Sequence, residues 1–130
     1  LQKEVVERIV AQPGSSEYGR LSVLLQAFYD VELLFTVPPE AFDPPPRVDS
    51  AVLRMTVLKS PTLADPAPLQ AVLAVAFSQR RKMIRSTLLP WLSREQVDVS
   101  GLDGQLRAED IGVETYCALA SQLRSINSIL

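Results

Sequence analysis

Residues 42–54 read FDPPPRVDSAVLR, and this stretch decides the fold. Pro44, Pro45 and Pro46 each fix φ near about −65° and hold the chain extended up to Arg47. Alternation then begins: Ala51, Leu53, Met55 and Val57 point one way along VDSAVLRMTVL, and Val48, Ser50, Val52 and Arg54 the other. Upstream, VELLFTV (residues 31–37) sets Val31, Leu33, Phe35 and Val37 against Glu32, Leu34 and Thr36, and ends at Pro38-Pro39. The connection between the two strands carries no helical pattern and is too short for a parallel crossover. The strands are therefore expected to be antiparallel neighbours. Two strands alone make no stable sheet. The expectation is that this pair joins a larger sheet built from sequence outside these 130 residues, and that the chain, which opens without Met, starts partway through a longer protein.

Helical spacing covers most of the rest. Val5, Val6, Ile9 and Val10 share a face in the first segment, and Pro13-Gly14-Ser15-Ser16 closes it. Leu21, Leu24, Leu25 and Phe28 are spaced as a buried helix face. KSPTLADPAP, residues 59–68, has the composition of a linker. Beyond it, Leu69, Val72, Leu73, Ala76 and Phe77 form a helix face, and residues 80–89 read as a second helical segment closed by Pro90 and Trp91. Val113, Tyr116, Cys117, Ala120 and Leu123 line a closing helix. Trp91 reads as a plug between helices, and Asp49-Ser50 as local satisfaction of backbone donors.

Composition narrows the chemistry. With no histidine and one cysteine, Cys117, a zinc site or a Ser-His-Asp or Cys-His arrangement is implausible within this chain, and Cys117 reads as a buried structural thiol. Cysteine scarcity points to the cytoplasm. No apolar run is long enough to span a bilayer. The net charge of −2 gives no global nucleic-acid signal, yet Arg80, Arg81, Lys82 and Arg85, four of the 13 basic residues, fall close together. On a helix Arg81 and Arg85 are i, i+4 neighbours and Lys82 joins them on one exposed stripe, with Met83, Ile84 and Leu88 inward. Four cations without an intervening acid repel one another, so a polyanionic partner explains them better than a merely solvated face. Phe42, braced by prolines, reads in two ways: an anchor to a core, or an aromatic face offered to a nucleobase.

The order LQKEVVERI, YGRLSVLLQ, VPPEAFDPPPRVDSAVLR and AFSQRRKMIRSTL resembles the KsgA/RsmA group of rRNA adenine N6-dimethyltransferases, collinearly over residues 1 to about 123. The resemblance implies an α/β fold. Residues 1–58 would be the C-terminal part of a Rossmann-like class I methyltransferase sheet (two antiparallel strands plus helices), residues 59–66 a linker, and residues 67–130 a small all-helical rRNA-binding domain. It implies that the parent transfers methyl groups from S-adenosylmethionine to two adjacent adenosines in a hairpin loop near the 3′ end of small-subunit rRNA. The implied partner is the assembling 30S subunit, and a monomer is expected. Phe42 matches the phenylalanine that packs on the target adenine. Arg47, where relatives commonly carry Lys, and Arg80, Arg81, Lys82 and Arg85 are the expected RNA contacts. The family's glycine-rich donor loop, acidic ribose-binding residue and Asn-Leu-Pro-Tyr motif have no counterpart here, since Pro13–Ser16 lacks both the glycine pattern and a preceding strand. No catalytic, cofactor-binding or metal residue is therefore expected in these 130 residues, and the chain alone is expected to be silent. LRAEDIGVETY also matches, with Gly112 where the family places Ser or Thr before the last helix, a weaker N-cap. Arg20 supports the fold or meets RNA on this reading. The alternatives are a non-catalytic RNA-binding or assembly module, and a resistance methyltransferase acting on large-subunit rRNA.

Overall fold

Helix α1 (Lys3–Val10) buries Val6 and Ile9, and exposed Lys3–Glu7 and Glu4–Arg8 pairs at i, i+4 lie on its other sides. Such pairs contribute only a few tenths of a kcal/mol each. The computed structural model describes the backbone of residues 1–129 and the side chains of residues 1–123. The Gln26 amide donates at 2.8 Å to both the Ile9 and Ala11 carbonyls, which the end of α1 leaves without helical partners. Helix α2 (Arg20–Gln26) is tied to α1 through Ser22, which accepts from the Gly19 N–H at 3.1 Å and donates to the Arg8 carbonyl. That anchoring turns Ser22, Val23 and Ala27 inward. Leu21, expected on the buried face, is exposed, and Leu24 and Phe28 are only half-buried against the core.

Strands β1 (Tyr29–Val37) and β2 (Ser50–Val57) pair antiparallel, as the short connection predicts. The alternation of β1 is not strict. A bulge at Leu34 shifts the register, so Leu33 faces Leu53 while Phe35 faces Val52. The extra residue swaps the faces beyond it, and Phe35 leaves the covered face, where Ala51 is buried, for the open one. Glu32 and Arg54, directly opposite on that open face, form an exposed ion pair. The chain start adds to the far edge of β2, the Ala51 N–H donating to the Leu1 carbonyl at 2.8 Å and the Lys3 N–H to that of Asp49 at 2.9 Å.

Helices α3 (Ala67–Ala76), α4 (Leu88–Arg94) and α5 (Val113–Ile129) follow. Helix α3 buries Leu69, Val72, Leu73 and Ala76 against Tyr116, Cys117, Leu119, Ala120 and Leu123 of α5. The α5 ladder starts from Gly112, whose carbonyl accepts from the Tyr116 N–H at 3.2 Å. Pro90 does not close a helix. It sits in the first turn of α4, where its missing N–H has no helical acceptor to lose. The proline-rich segment 59–66 is more than a tether, because Leu63 enters the core at 2 % exposure. One cluster of buried residues runs through Tyr18, Val23 and Ala27 into Leu63 and α3–α5, across the expected domain division.

Two phenols pin this core. Tyr18 donates to the Ile111 carbonyl at 2.7 Å and Tyr116 to that of Ala108 at 2.6 Å, both in buried surroundings. Burial pushes both hydroxyls well above the ordinary value of 10.0; Cys117 adds to the effect at Tyr18, and Tyr18 and Asp110 add to it at Tyr116. A phenol whose folded pKa is raised gives its full contribution below the unfolded value and loses it as pH rises. Stability should therefore fall above about pH 10 in urea unfolding followed by circular dichroism. Tyr116→Phe should cost about 1–3 kcal/mol at pH 7, and the variant's further loss on going to alkaline pH should be smaller than that of the unmodified protein.

Candidate nucleic-acid interface

The loop between the strands opens with a helical turn, Pro39–Ala41, closed by the Phe42 N–H donating to the Pro39 carbonyl at 3.2 Å. Phe42 is extended, and residues 41–49 are all exposed. Of the two sequence readings of Phe42, the anchor is not what the structure presents. Its ring is 44 % exposed and lies outside the buried cluster. Arg47, at the far end of the proline run, lines an open cleft of about 440 Å³ with Gln2, Lys3, Glu4, Glu7, Pro39 and Asp49. Phe42 does not line that cleft, so the loop presents the ring and the guanidinium at separate places. With Glu4, Glu7 and Asp49 facing Lys3 and Arg47, the cleft carries mixed charge.

The basic cluster does not lie on a helix. After α3 the chain turns through residues 77–81, and Met83 then forms an antiparallel bridge with Arg107. The Ile84 N–H donates to the Leu106 carbonyl at 2.7 Å and the Arg85 N–H to that of Gly104 at 3.1 Å. Those donors are spent across the chain, and the bridge lets Ile84 become fully buried; a short helical turn, Ile84–Ser86, leads into α4. The approach is close at Gly104, where a Cβ would stand 3.1 Å from that of Arg85 and 3.3 Å from the Leu89 side chain, so a larger residue there would have to push its neighbours aside. The expected i, i+4 relation of Arg81 and Arg85 is therefore absent.

The bridge brings in a cation that local patterning misses. Arg81, Arg107 and Ser16 line an open cleft of about 500 Å³ with Arg80 and Glu109, although Arg107 lies far along the chain. Arg81, Lys82, Arg85 and Arg107 are all exposed, and among the described residues none of their charged side-chain groups has a carboxylate within 4.0 Å; the Arg107 backbone N–H donates to Asp110 Oδ2 at 3.0 Å. Arg80 departs from the expected stripe. Its guanidinium turns inward, donating to the Tyr18 carbonyl at 2.8 Å and to Glu109 Oε2 at 3.2 Å, 5.7 Å from the centroid of the Phe77 ring. A carbonyl, a carboxylate and an aromatic face satisfy a forked cation better than solvent on a crowded stripe does. Arg20, exposed at the start of α2, lines an adjacent cleft with Arg8, Phe77 and Arg80.

The loop at Gly14 does not have the form of a phosphate cradle. Gly14, in the left-handed region at φ 90°, follows a helix rather than a strand, and its N–H is spent on the Glu109 carbonyl at 2.7 Å. Among the described residues no group of three or more His, Cys, Asp or Glu could hold a metal. Cys117 is buried, and burial beside Glu114 pushes its thiol up, opposite to what a nucleophile needs. No described helix is long and apolar enough to cross a membrane. The described residues present an exposed aromatic on a proline-rich loop, and, apart from it, exposed cations around a cleft.

The model of the family "Ribosomal RNA adenine dimethylase" matches residues 1–125. The chain is 55% identical over 123 residues to a protein named ribosomal RNA small subunit methyltransferase A from Janthinobacterium sp. (strain Marseille), covering 95% of this chain and 48% of the relative. Proteins of the same name from Herminiimonas arsenicoxydans and Bordetella petrii are 53% and 50% identical, covering 95% and 99% of this chain and 48% and 50% of theirs. The chain thus spans about half the length of the curated relatives it matches. Among solved structures, a dimethyladenosine transferase from Plasmodium falciparum superposes with a TM-score of 0.81 at 24% identity, covering 97% of this chain and 56% of that one. The 23S rRNA methyltransferase ErmE gives 0.60 at 23%, covering 95% and 52%. At those identities the structures show the fold alone. The match over nearly the whole chain establishes the rest: it belongs to the ribosomal RNA adenine dimethylase family.

Proposed function

We propose that this chain is the target-base and RNA-holding part of an S-adenosylmethionine-dependent enzyme. The enzyme dimethylates the N6 amines of two adjacent adenosines in a hairpin loop near the 3′ end of small-subunit rRNA, during assembly of the subunit. In this reading residues 1–58 complete a Rossmann-like sheet, residues 59–66 connect, and residues 67–130 form the helical RNA-binding part. The protein works as a monomer in the cytoplasm. The relatives of the same family, named for small-subunit rRNA methylation, support the substrate assignment. The observation that carries the division of labour is the half-exposed Phe42 ring on a proline-braced loop, beside a separate surface of unpaired cations.

The chemistry follows from that division. S-adenosylmethionine, held by sequence outside these residues, supplies an activated methyl group. An adenine stacked in a loop cannot present its N6 amine to any donor, so the base must leave its stack. Phe42 offers a flat apolar face to the displaced base, replacing part of the stacking it loses, worth roughly 1–3 kcal/mol. The loop costs little to order, because its prolines have already restricted the backbone. Arg81, Lys82, Arg85 and Arg107 contact phosphates. They fix the register of the hairpin without reading its sequence, while Arg47 holds the backbone nearer the loop.

Two experiments test this. In the full-length protein, Phe42→Ala should lower kcat/KM on small subunits by roughly 5- to 150-fold, the range equivalent to one lost stack. Unchanged activity would remove Phe42 from the base site. Reversing Arg81 and Arg85 together to Glu should weaken binding of a hairpin RNA and flatten the dependence of log K on log salt by about one or more, since each phosphate contact contributes roughly 0.7–0.9 to the slope. An unaltered slope would contradict the phosphate assignment.

A further inference from the structure

Arg80 is the one member of the basic cluster committed to the protein itself. Its guanidinium joins three elements distant in sequence: the loop before α2, through the Tyr18 carbonyl; the end of α3, through the Phe77 ring; and the turn before α5, through Glu109. Around it the rings stack in a line, Tyr18 edge-on to Phe77 at 6.4 Å and Phe77 to Tyr116 at 6.0 Å. The Gly14 N–H binds the Glu109 carbonyl at 2.7 Å, and the Tyr18 hydroxyl binds that of Ile111, so the loop before α2 is fastened to the turn before α5 at several points. Arg81 and Lys82, the cations free to meet a partner, follow Arg80 directly in the same turn. Arg107 stands two residues before Glu109.

We infer that Arg80 is a positioning residue: its guanidinium, bonded through Nη2 to Tyr18 and Glu109 and set against Phe77, fixes the orientation of the Arg81–Lys82–Arg107 surface relative to the unit that carries the β1–β2 hairpin and Phe42. This rests on the reading that this surface binds RNA. Arg80 acts through geometry and not as a phosphate contact. Its charge is paired with Glu109, and its Nη2 donates to protein acceptors. Both hydrogen bonds leave one guanidinium nitrogen, Nη2, so an ammonium could reach the same two acceptors; what lysine lacks is the delocalised guanidinium beside the Phe77 ring.

The test compares Arg80→Lys, Arg80→Gln and Arg81→Gln in the full-length protein. It reads methylation of small subunits at saturating RNA and the salt dependence of binding to a synthetic hairpin with two adjacent loop adenosines. Amide exchange over residues 15–22 and 106–112 reports the junction itself. Arg80→Gln should lower kcat about tenfold or more, because a misplacement of about 1 Å is enough to cost that much, and Arg80→Lys should lower it by less. Both should leave the salt slope unchanged and speed amide exchange in the two segments. Arg81→Gln should flatten the slope by about one with exchange unaltered. Glu109→Gln, which leaves the Tyr18 contact in place, should move kcat and exchange in the same direction by less, and it serves if an Arg80 variant does not fold. Wild-type kcat and exchange in Arg80→Gln, or a slope loss in Arg80→Gln equal to that of Arg81→Gln, would overturn the inference. If Arg81→Gln leaves the slope unchanged, the RNA reading of the surface fails, while exchange and kcat still judge Arg80.

Discussion

The structure depends on Tyr18. A fully buried phenol in the loop between α1 and α2 places its ring edge on Phe77, its hydroxyl on the Ile111 carbonyl and its own carbonyl on Arg80. Without it the α1–α2 layer and the α3–α5 bundle would meet through fewer apolar contacts, and the sheet would lose its fixed relation to the helices. The burial that makes Tyr18 a good wedge also demands that its polar atoms be satisfied, since an unpaired buried hydroxyl costs about 1–3 kcal/mol. The acceptor its hydroxyl finds is the Ile111 carbonyl, just before α5. That requirement couples the two halves of the chain more tightly than the proline-rich segment between them suggests.

Much of the architecture was legible in the residues. The short connection between two alternating runs dictates an antiparallel pair, and the spacing of Leu69, Val72, Leu73 and Ala76 gives the inner face of α3. The failures share one cause. Residues 80–89 carry a helical pattern, but their backbone donors find better partners in the segment that ends at Arg107, which no local window contains. The bulge at Leu34 is likewise a matter of pairing, and an alternation of apolar residues cannot announce where the register slips. Leu63 sits among prolines and alanines that look like tether, yet a single Leu can cross into a core if the chain passes close enough.

The candidate interface shows the same division. Phe42 stands out because prolines fix a loop locally, whereas Arg47 stands out only through the family resemblance. Arg81, Lys82 and Arg85 were visible because like charges crowd in sequence. Arg107 was missed, because only the Met83–Arg107 bridge makes it a neighbour of Arg81. Arg80 was visible as a charge, but its partners, Tyr18 and Glu109, are both remote in the chain. A net charge of −2 therefore coexists with a cationic surface, and the distribution of charge in space carries the functional information.

The central claim is that these residues hold RNA and present a base but do not bind the methyl donor. Calorimetric titration of this chain with a hairpin RNA bearing two adjacent loop adenosines, and separately with S-adenosylmethionine, tests it most directly. Saturable RNA binding that weakens steeply with salt, together with no heat from S-adenosylmethionine, is the predicted result. Specific binding of S-adenosylmethionine by these residues alone, or a failure to bind the RNA at low salt, would contradict the account.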